Sequence, residues 1–328
     1  MTRILMTALI SAFVWAGAAS AQTEVPGGSG ALGIGTSAPG GLIHTVGSAV
    51  ARVVTEKGGV RAVVVPQGAP GPEPVHNGTL PFSINNAFDV SFSVTAGGYR
   101  QGQTKLSNIR MVSVLMPTLV AMYVRKDSDI RELKDLKNKR VPGGFNAQPT
   151  IEQVYMAYLQ NGGLTYKDVR IVPAQNILKG SQDFEGGKAD AFMYSLGTGR
   201  VMEVAASVSG GVRALSMTDT ADAKARLNAS LPGAYMTAVP QAKFASQLAL
   251  PTTNVITYDL VLFCNPNVPE DTIYKIVKAL HDNKQDLIDT YQPMEGFEQK
   301  RMGTTVPGVE YHPGAIKFYK EKGILAQS

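Results

Sequence analysis

The sequence has little cysteine and little charge, and each shortage argues against a class of protein. Cys264 is the one cysteine among 328 residues, so the chain cannot form an internal disulfide. The residues just before it are mostly apolar, which predicts a buried and unreactive thiol. Charged residues make up 17% of the chain, the net charge is +5, and the basic residues are scattered. Scattered charge argues against nucleic acid as a partner, and the small positive excess favours a small anionic solute.

Long apolar runs are missing after the N-terminal region. No stretch beyond residue 21 approaches the roughly 18 continuous apolar residues of a membrane span, which predicts a soluble, monomeric protein. Residues 1–21 (MTRILMTALISAFVWAGAASA) combine one early arginine, a short apolar run and the triplet Ala19-Ser20-Ala21. This pattern predicts a signal peptide cleaved after Ala21, and therefore a mature chain in the periplasm. The polar, glycine-rich residues 22–30 follow it as an expected flexible leader.

The rest of the chain predicts an α/β fold. Short β-branched runs alternate with helical patterns, which favours a largely parallel sheet, and about 300 residues favour two lobes over a single core. We expect a long helix over residues 269–291 and two separate strands at 110–115 and 119–124. The proline- and glycine-rich residues 66–81 form either a linker or a helix-free loop that leads to a site.

Two glycine-rich loops are the best candidates for a binding site. Residues 35–41 (GTSAPGG) and 141–150 (VPGGFNAQPT) each lie between a predicted strand and a predicted helix. Glycines allow backbone N–H groups to approach a ligand, and the first turn of a helix offers unpaired donors at its positive end. Such loops suit a carboxylate or phosphate, although an ordinary turn would look the same. Asn85-Asn86 and residues 194–197 (YSLG) follow other strands, where open α/β sheets bind ligands.

Catalytic and metal-binding patterns are absent from the sequence. The motif at residues 28–33 matches a dinucleotide-binding pattern, but it precedes the first strand instead of following one. No G-x-S-x-G, S-x-x-K or H-E-x-x-H motif occurs, and the four histidines have no spacing typical of a zinc site. We therefore expect no enzyme activity, no cofactor and no metal.

Six segments in order resemble the TAXI-type receptors of tripartite ATP-independent periplasmic (TRAP) transporters. They are IGTSAPGGLIHTVGSAVARVV, FSINNAFD, VRKDSDIRELKDLKNKRVPGGFNAQPT, GGKADAFMYSLG, VPEDTIYKIVKALHDNK and GVEYHPGAIKFYKEKG. The third is shared by many periplasmic binding proteins, whereas GTSAPGG and the last segment are more typical of the TAXI group. The chain departs from better-known members at Ile43-His44, where they carry two tyrosines, so their ligands do not transfer directly.

The resemblance implies a type II periplasmic-binding-protein fold, in which two α/β lobes are joined by a hinge and the ligand lies in the cleft between them. It implies residues 31–116 and 257–328 in the first lobe and residues 117–256 in the second. Matching the motifs gives most of the expected ligand-binding residues, which are Thr36, Ser37, Gly40, Gly41, Asn85, Asn86, Asn146, Gln148, Thr150, Ser195 and Gly197. His44 is added because, of the four histidines, it alone lies close enough in sequence to the first glycine-rich loop to contact a ligand.

The function expected from the sequence is capture of a small, carboxylate-bearing solute outside the cytoplasm. The resemblance implies delivery of that solute to the membrane permease of a TRAP transporter. A periplasmic receptor that serves a sensor kinase is the alternative that remains open, and a periplasmic hydrolase is a more distant one.

Overall fold

A computed structural model describes residues 30–67 and 71–324 of the chain. The predicted signal peptide and nearly all of the predicted leader lie outside the described residues. Within them, no helix has both the length and the apolar composition to cross a membrane.

The described residues alternate strands and helices along most of the chain. The strands are β1 (Leu32–Thr36), β2 (Ala62–Pro66), β3 (Phe82–Asn86), β4 (Arg110–Arg125), β5 (Arg140–Gly143), β6 (Arg170–Pro173), β7 (Ala191–Ser195), β8 (Val212–Leu215), β9 (Tyr235–Pro240) and β10 (Thr252–Cys264). The helices are α1 (Leu42–Gly58), α2 (Glu73–His76), α3 (Ala87–Thr95), α4 (Pro149–Asn161), α5 (Ile177–Glu185), α6 (Gly199–Ser207), α7 (Ala221–Ser230), α8 (Glu270–Asp282), α9 (Lys284–Thr290) and α10 (Pro313–Lys322). Short 3-10 turns cover Gly98–Arg100, Leu133–Leu136, Tyr166–Asp168, Gln241–Lys243, Gln292–Gly296 and Gln299–Arg301.

The main sheet has the strand order β2-β1-β3-β10-β4-β7, with β8 on β4 and β9 on β10. Strand β1 runs parallel to β2 and β3, whereas β4 and β10 are antiparallel to each strand of the main sheet that they pair with. Strands β5 and β6 form a small parallel sheet of their own. The expectation of a largely parallel sheet is therefore wrong. The alternation of strands and helices identified α/β structure, but it carries no information on two long strands that run against their neighbours.

Strand β4 is one strand of 16 residues and not the two strands that the sequence predicted. Pro117 lies in its middle and pairs with Asp259 of β10, next to a shift of register between Leu260 and Val261. A proline supplies no N–H to a sheet and usually marks an edge or an irregularity. Here the irregularity lies where β4 and β10 cross from one half of the molecule to the other.

The core divides into two halves that share β4 and β10. Ile34, Phe82 and Leu262 pack under α1, α8 and α10 in one half. Met122 and Met193 pack under α4 in the other. Two α/β lobes joined by two long strands are the architecture that results. Helix α3 spans the junction, because its Phe88 ring meets the edge of Tyr258 at a centroid distance of 4.9 Å.

Two local predictions need correction. The long helix predicted for residues 269–291 is divided into α8 and α9 at Asn283, which has φ −127° and ψ 45°. The Asn283 side chain donates to the carbonyl of Ala279 at 2.8 Å, and such local bonds compete with the helix. Residues 66–81 are not helix-free, because they contain α2.

The predicted burial of Cys264 is confirmed. Its side chain is fully buried on β10, and this burial raises the pKa of the thiol.

Candidate functional site

The carboxyl ends of β1, β3 and β7 meet at the junction of the lobes. Strands β1 and β3 are parallel neighbours, so Thr36 and Asn86 end at the same edge of the first lobe. Strand β7 ends at Ser195 and runs antiparallel to β4. The edge of the second lobe therefore faces the edge of the first, and the middle of β4 and β10 lies between them.

The strand register gives the separation of the two edges. Asn86 pairs with Leu260, which in turn pairs with Met116, whereas Ser195 pairs with Val120. Four residues of β4 thus separate the two levels, or about 13 Å at the usual rise of a strand. That separation suits a small organic molecule in contact with both lobes.

The first glycine-rich loop places polar groups around the start of α1. Thr36 is fully buried, and its hydroxyl lies 3.2 Å from Nδ1 of His44. The Thr36 hydroxyl also donates to the carbonyl of Ser37 at 3.2 Å. The other ring nitrogen of His44, Nε2, has no hydrogen-bond partner among the described residues. The backbone N–H of His44 donates to the Ser37 hydroxyl at 3.2 Å.

Helix α1 begins without a side-chain cap at Gly41 and without an acidic residue in its first turn. Within the described residues, the backbone N–H groups of Gly40, Leu42 and Ile43 find no acceptor in the protein. Gly40 has φ +84°, a conformation that side chains rarely adopt, and it is exposed. The positive end of a 17-residue helix therefore offers several donors to an anion.

The second glycine-rich loop differs, because a carboxylate of the protein already occupies its donors. Glu152, in the first turn of α4, accepts from the N–H of Gly144 at 3.1 Å and of Phe145 at 3.2 Å. The N–H groups of Asn146, Ala147 and Gln148 bond to backbone carbonyls.

The side chains of this loop are partly engaged as well. Gln148 accepts from the N–H of Ile177 at 3.0 Å through its side-chain oxygen. Asn146 is exposed and Thr150 half-buried, and neither side chain has a partner in the described part of the chain. Backbone donors are therefore open at the first loop, whereas most at the second are already bonded, and anion binding at either loop stays a prediction.

Asn85 and Asn86 adopt different roles at the end of β3. Asn85 is buried, its amide nitrogen donates to Asp89, and its oxygen accepts from the N–H of Asn86 at 2.8 Å. Asp89 also accepts from the hydroxyl of Tyr99, and burial raises the pKa of this carboxyl to about 6. Asn85 thus stabilises the turn between β3 and α3. Asn86 is half-buried, and its side chain has no partner among the described residues.

Ser195 and Gly197 lie on the opposite edge, in the second lobe. The Ser195 side chain is half-buried, and its hydroxyl has no partner in the described ranges. Gly197 has φ +76°, and a Cβ there would lie 2.7 Å from the Phe244 ring. Its N–H donates to the Gln247 side chain at 3.1 Å, so Gly197 shapes the loop and offers no free donor.

Sequence reasoning missed two polar features of the crossing strands. Thr118 is buried on β4, and its hydroxyl has no partner within the described residues. Asp259 of β10 accepts from Arg301 at 2.7 Å and from the Tyr235 hydroxyl at 3.2 Å. The signal in each case was a polar residue inside an otherwise apolar run.

Comparison with known proteins agrees with this architecture. The sequence profile of the NMT1-like family matches residues 34–323, which is most of the chain. The chain belongs to the NMT1-like family. The match includes both glycine-rich loops and both crossing strands of this NMT1-like protein.

Solved structures of other proteins share the fold at low sequence identity. MatC from Rhodopseudomonas palustris, solved with bound malate, is 15% identical over 90% of this chain and 99% of its own, with a TM-score of 0.53. The periplasmic binding protein BugD is 13% identical over 90% of this chain and 98% of its own, with a TM-score of 0.52. The NMT1-like chain therefore has the two-lobed fold of the periplasmic binding proteins, as the sequence predicted.

Proposed function

We propose that this protein is a TAXI-type receptor that captures a small, carboxylate-bearing solute in the periplasm and delivers it to a TRAP permease. In this proposal the mature chain begins at Gln22 and acts as a monomer. It performs no catalysis and needs no cofactor. The lobe boundaries fall after residues 116 and 256, and the lobes close over the solute.

The uncapped start of α1 is the observation that carries the proposal. Gly40, Leu42 and Ile43 offer N–H groups at the edge where the two lobes face each other. Hydrogen bonds to a charged group contribute roughly 1.5–3 kcal/mol each. Three of them support micromolar affinity once the cost of association is subtracted.

Apart from the paired Asp259 and Arg301, the junction holds polar side chains that are uncharged. Asn86 in the first lobe, Thr118 on β4, and Ser195 in the second lobe have side chains without partners among the described residues. Such groups suit the hydroxyl or carbonyl oxygens of an organic acid. Because MatC was solved with bound malate, small carboxylic acids are the first solutes to test for binding to this chain.

Isothermal titration calorimetry on the double variant Thr36→Ala with Asn86→Ala tests the proposal. The change removes the hydroxyl that holds His44 and one free amide, and we expect binding to weaken by at least about tenfold. The control is Thr104→Ala with Asn108→Ala, two exposed positions in the loop before β4. Unchanged affinity in the first variant would show that the site lies elsewhere. A preference for cationic solutes would contradict the role of the α1 N-terminus.

A further inference from the structure

We propose that the solute is a hydroxylated carboxylic acid, and that the buried hydroxyl of Thr118 on β4 selects for its hydroxyl groups. This inference rests on the proposed function, which it sharpens to a class of solute. It makes Thr118 a specificity-determining residue between the lobes.

Thr118 lies in a row of polar side chains on one face of the main sheet. Side chains alternate between the two faces of a strand, and the pairing of β4 with β10 is regular from Ile256 to Leu260. Residues directly opposite each other on paired strands share a face. The row therefore runs diagonally across β3, β10, β4 and β7, and its members are Asn86, Tyr258, Thr118 and Ser195.

The row separates the two halves of the core. On this face of β4, Met116 belongs to the apolar cluster of the first lobe and Val120 to that of the second. On β10, Leu260 and Ile256 divide in the same way. Thr118 is midway between Met116 and Val120, so it lies where the packing of one lobe ends and that of the other begins.

The start of α1 is on the same face as the row. A Cβ at Gly47 of α1 would lie 3.7 Å from Cδ1 of Ile84, so Ile84 points toward this helix. Asn86 is two residues further along β3 and therefore shares that face. The row thus begins beside the proposed carboxylate site and leads from it toward the second lobe.

The opposite face of the same strands is already saturated. Its polar side chains on β3 and β10 are Asn85, Thr257 and Asp259, and each is bonded to another side chain of the protein. A solute would have to displace these bonds to bind there. The face that carries the row is therefore the one open to a ligand.

The row offers hydrogen bonds without charge. Thr118 is only 5% exposed, and its hydroxyl has no partner within the described residues. The side chains of Asn86 and Ser195 likewise have none in that part of the chain. A buried hydroxyl without a partner is unfavourable, and a hydroxyl both donates and accepts. Hydroxyl groups along a solute would satisfy such a row, whereas a plain alkyl chain would leave Thr118 unpaired.

Calorimetry with matched pairs of acids tests the inference on the full mature chain. The members of each pair differ only in hydroxyl groups. The pairs are butyrate and threonate, hexanoate and gluconate, succinate and tartrate, and adipate and galactarate, which cover one and two carboxylates. We expect the hydroxylated acid of at least one pair to bind about tenfold more tightly than its plain counterpart.

Thr118→Val removes the hydroxyl and keeps the shape of the side chain. In this variant the ratio of the two affinities should fall by about fivefold, whereas Thr118→Ser, which keeps the hydroxyl, should retain it. The matched control is Thr253→Val. Thr253 is a second buried threonine whose hydroxyl has no partner among the described residues, but it lies on the opposite face of β10, away from the junction. The control should leave the ratio unchanged.

Plain acids that bind as tightly as hydroxylated acids in the parent protein would overturn the inference and leave the proposed function standing. A ratio that is unchanged in Thr118→Val, or that falls equally in Thr253→Val, would overturn the role of Thr118. Should Thr118→Val fail to fold, Ser195→Ala removes another hydroxyl of the row and must lower the ratio for the inference to stand. If no acid of either type binds, the proposed function fails and the inference fails with it.

Discussion

Gly47 brings α1 against β1 directly at the candidate site, and replacing it gives a sharp test of that packing. A Cβ at Gly47 would lie 2.5 Å from Cγ2 of Thr36 and 3.4 Å from Cγ1 of Val64. Thr36 is fully buried, its hydroxyl is hydrogen-bonded, and its branched side chain has few rotamers. It therefore cannot turn away from an added methyl group.

Two opposing effects decide the stability of Gly47→Ala. Alanine favours a helix over glycine by about 1 kcal/mol. An added methyl group in a packed core costs about 1–3 kcal/mol when its neighbours cannot move. Because the nearest contact is as short as 2.5 Å, we expect the packing cost to prevail and the free energy of unfolding to fall by about 1 kcal/mol.

Thr36→Ser supplies the second half of the test. This change removes the methyl group that Gly47→Ala would strike and keeps the hydroxyl, at a cost of about 1 kcal/mol for the lost burial. In the double variant the new methyl group occupies the space of the old one. We expect it to unfold within about 0.5 kcal/mol of the parent, which gives a coupling energy near 1.5 kcal/mol.

Urea unfolding followed by circular dichroism measures the free energy of unfolding of the parent, the two single variants and the double variant. The m-value is checked for each. Gly199→Ala is the matched control, because nothing lies within 4 Å of a Cβ there. A stabilised Gly47→Ala, or additive effects in the double variant, would refute the close approach of α1 to β1.

Three further predictions concern buried polar groups. The Tyr158 hydroxyl donates to Val120 of β4 at 2.6 Å and accepts from Ile256 of β10 at 3.2 Å, so Tyr158→Phe should lower the free energy of unfolding by about 1–3 kcal/mol in urea. Burial raises the pKa of Asp89 to about 6, so its contribution to stability is fully present below pH 4 and is lost as the pH rises through 6. The difference in unfolding free energy between the parent and Asp89→Asn should therefore change by about 2–3 kcal/mol between pH 4 and pH 7, and a constant difference would contradict this. Cys264 should react with a thiol reagent only after denaturation, and rapid labelling of the native protein would show that its burial is incomplete.

Local sequence signals predicted the elements that frame the candidate site. The polar, glycine-rich residues before Leu42 and before Pro149 marked the starts of α1 and α4, and both helices begin there. Strands were also predicted to precede the loop at residues 35–41 and the residues 194–197, and β1 and β7 end there, at Thr36 and Ser195. Turn chemistry and β-branched runs are local, so the sequence carries them directly.

Contacts between distant segments were not predictable in the same way. That Glu152 occupies the second loop, and that Asn85 is engaged by Asp89, depends on side-chain positions that no spacing reveals. The antiparallel course of β4 and β10 likewise depends on pairing across more than a hundred residues. The proline in the middle of β4 is typical of a break between two strands. The strand is nevertheless continuous through Pro117, because the residues before and after it are packed in the core.

Nuclear magnetic resonance on protein labelled with ¹⁵N-glycine tests most directly whether a carboxylate binds at the start of α1. The probe is the small carboxylic acid that binds most tightly by calorimetry. We expect the amide resonance of Gly40 to move downfield and saturate with the calorimetric affinity, while that of Gly144, already bonded to Glu152, moves little. A saturating shift at Gly144 with none at Gly40 would contradict the account.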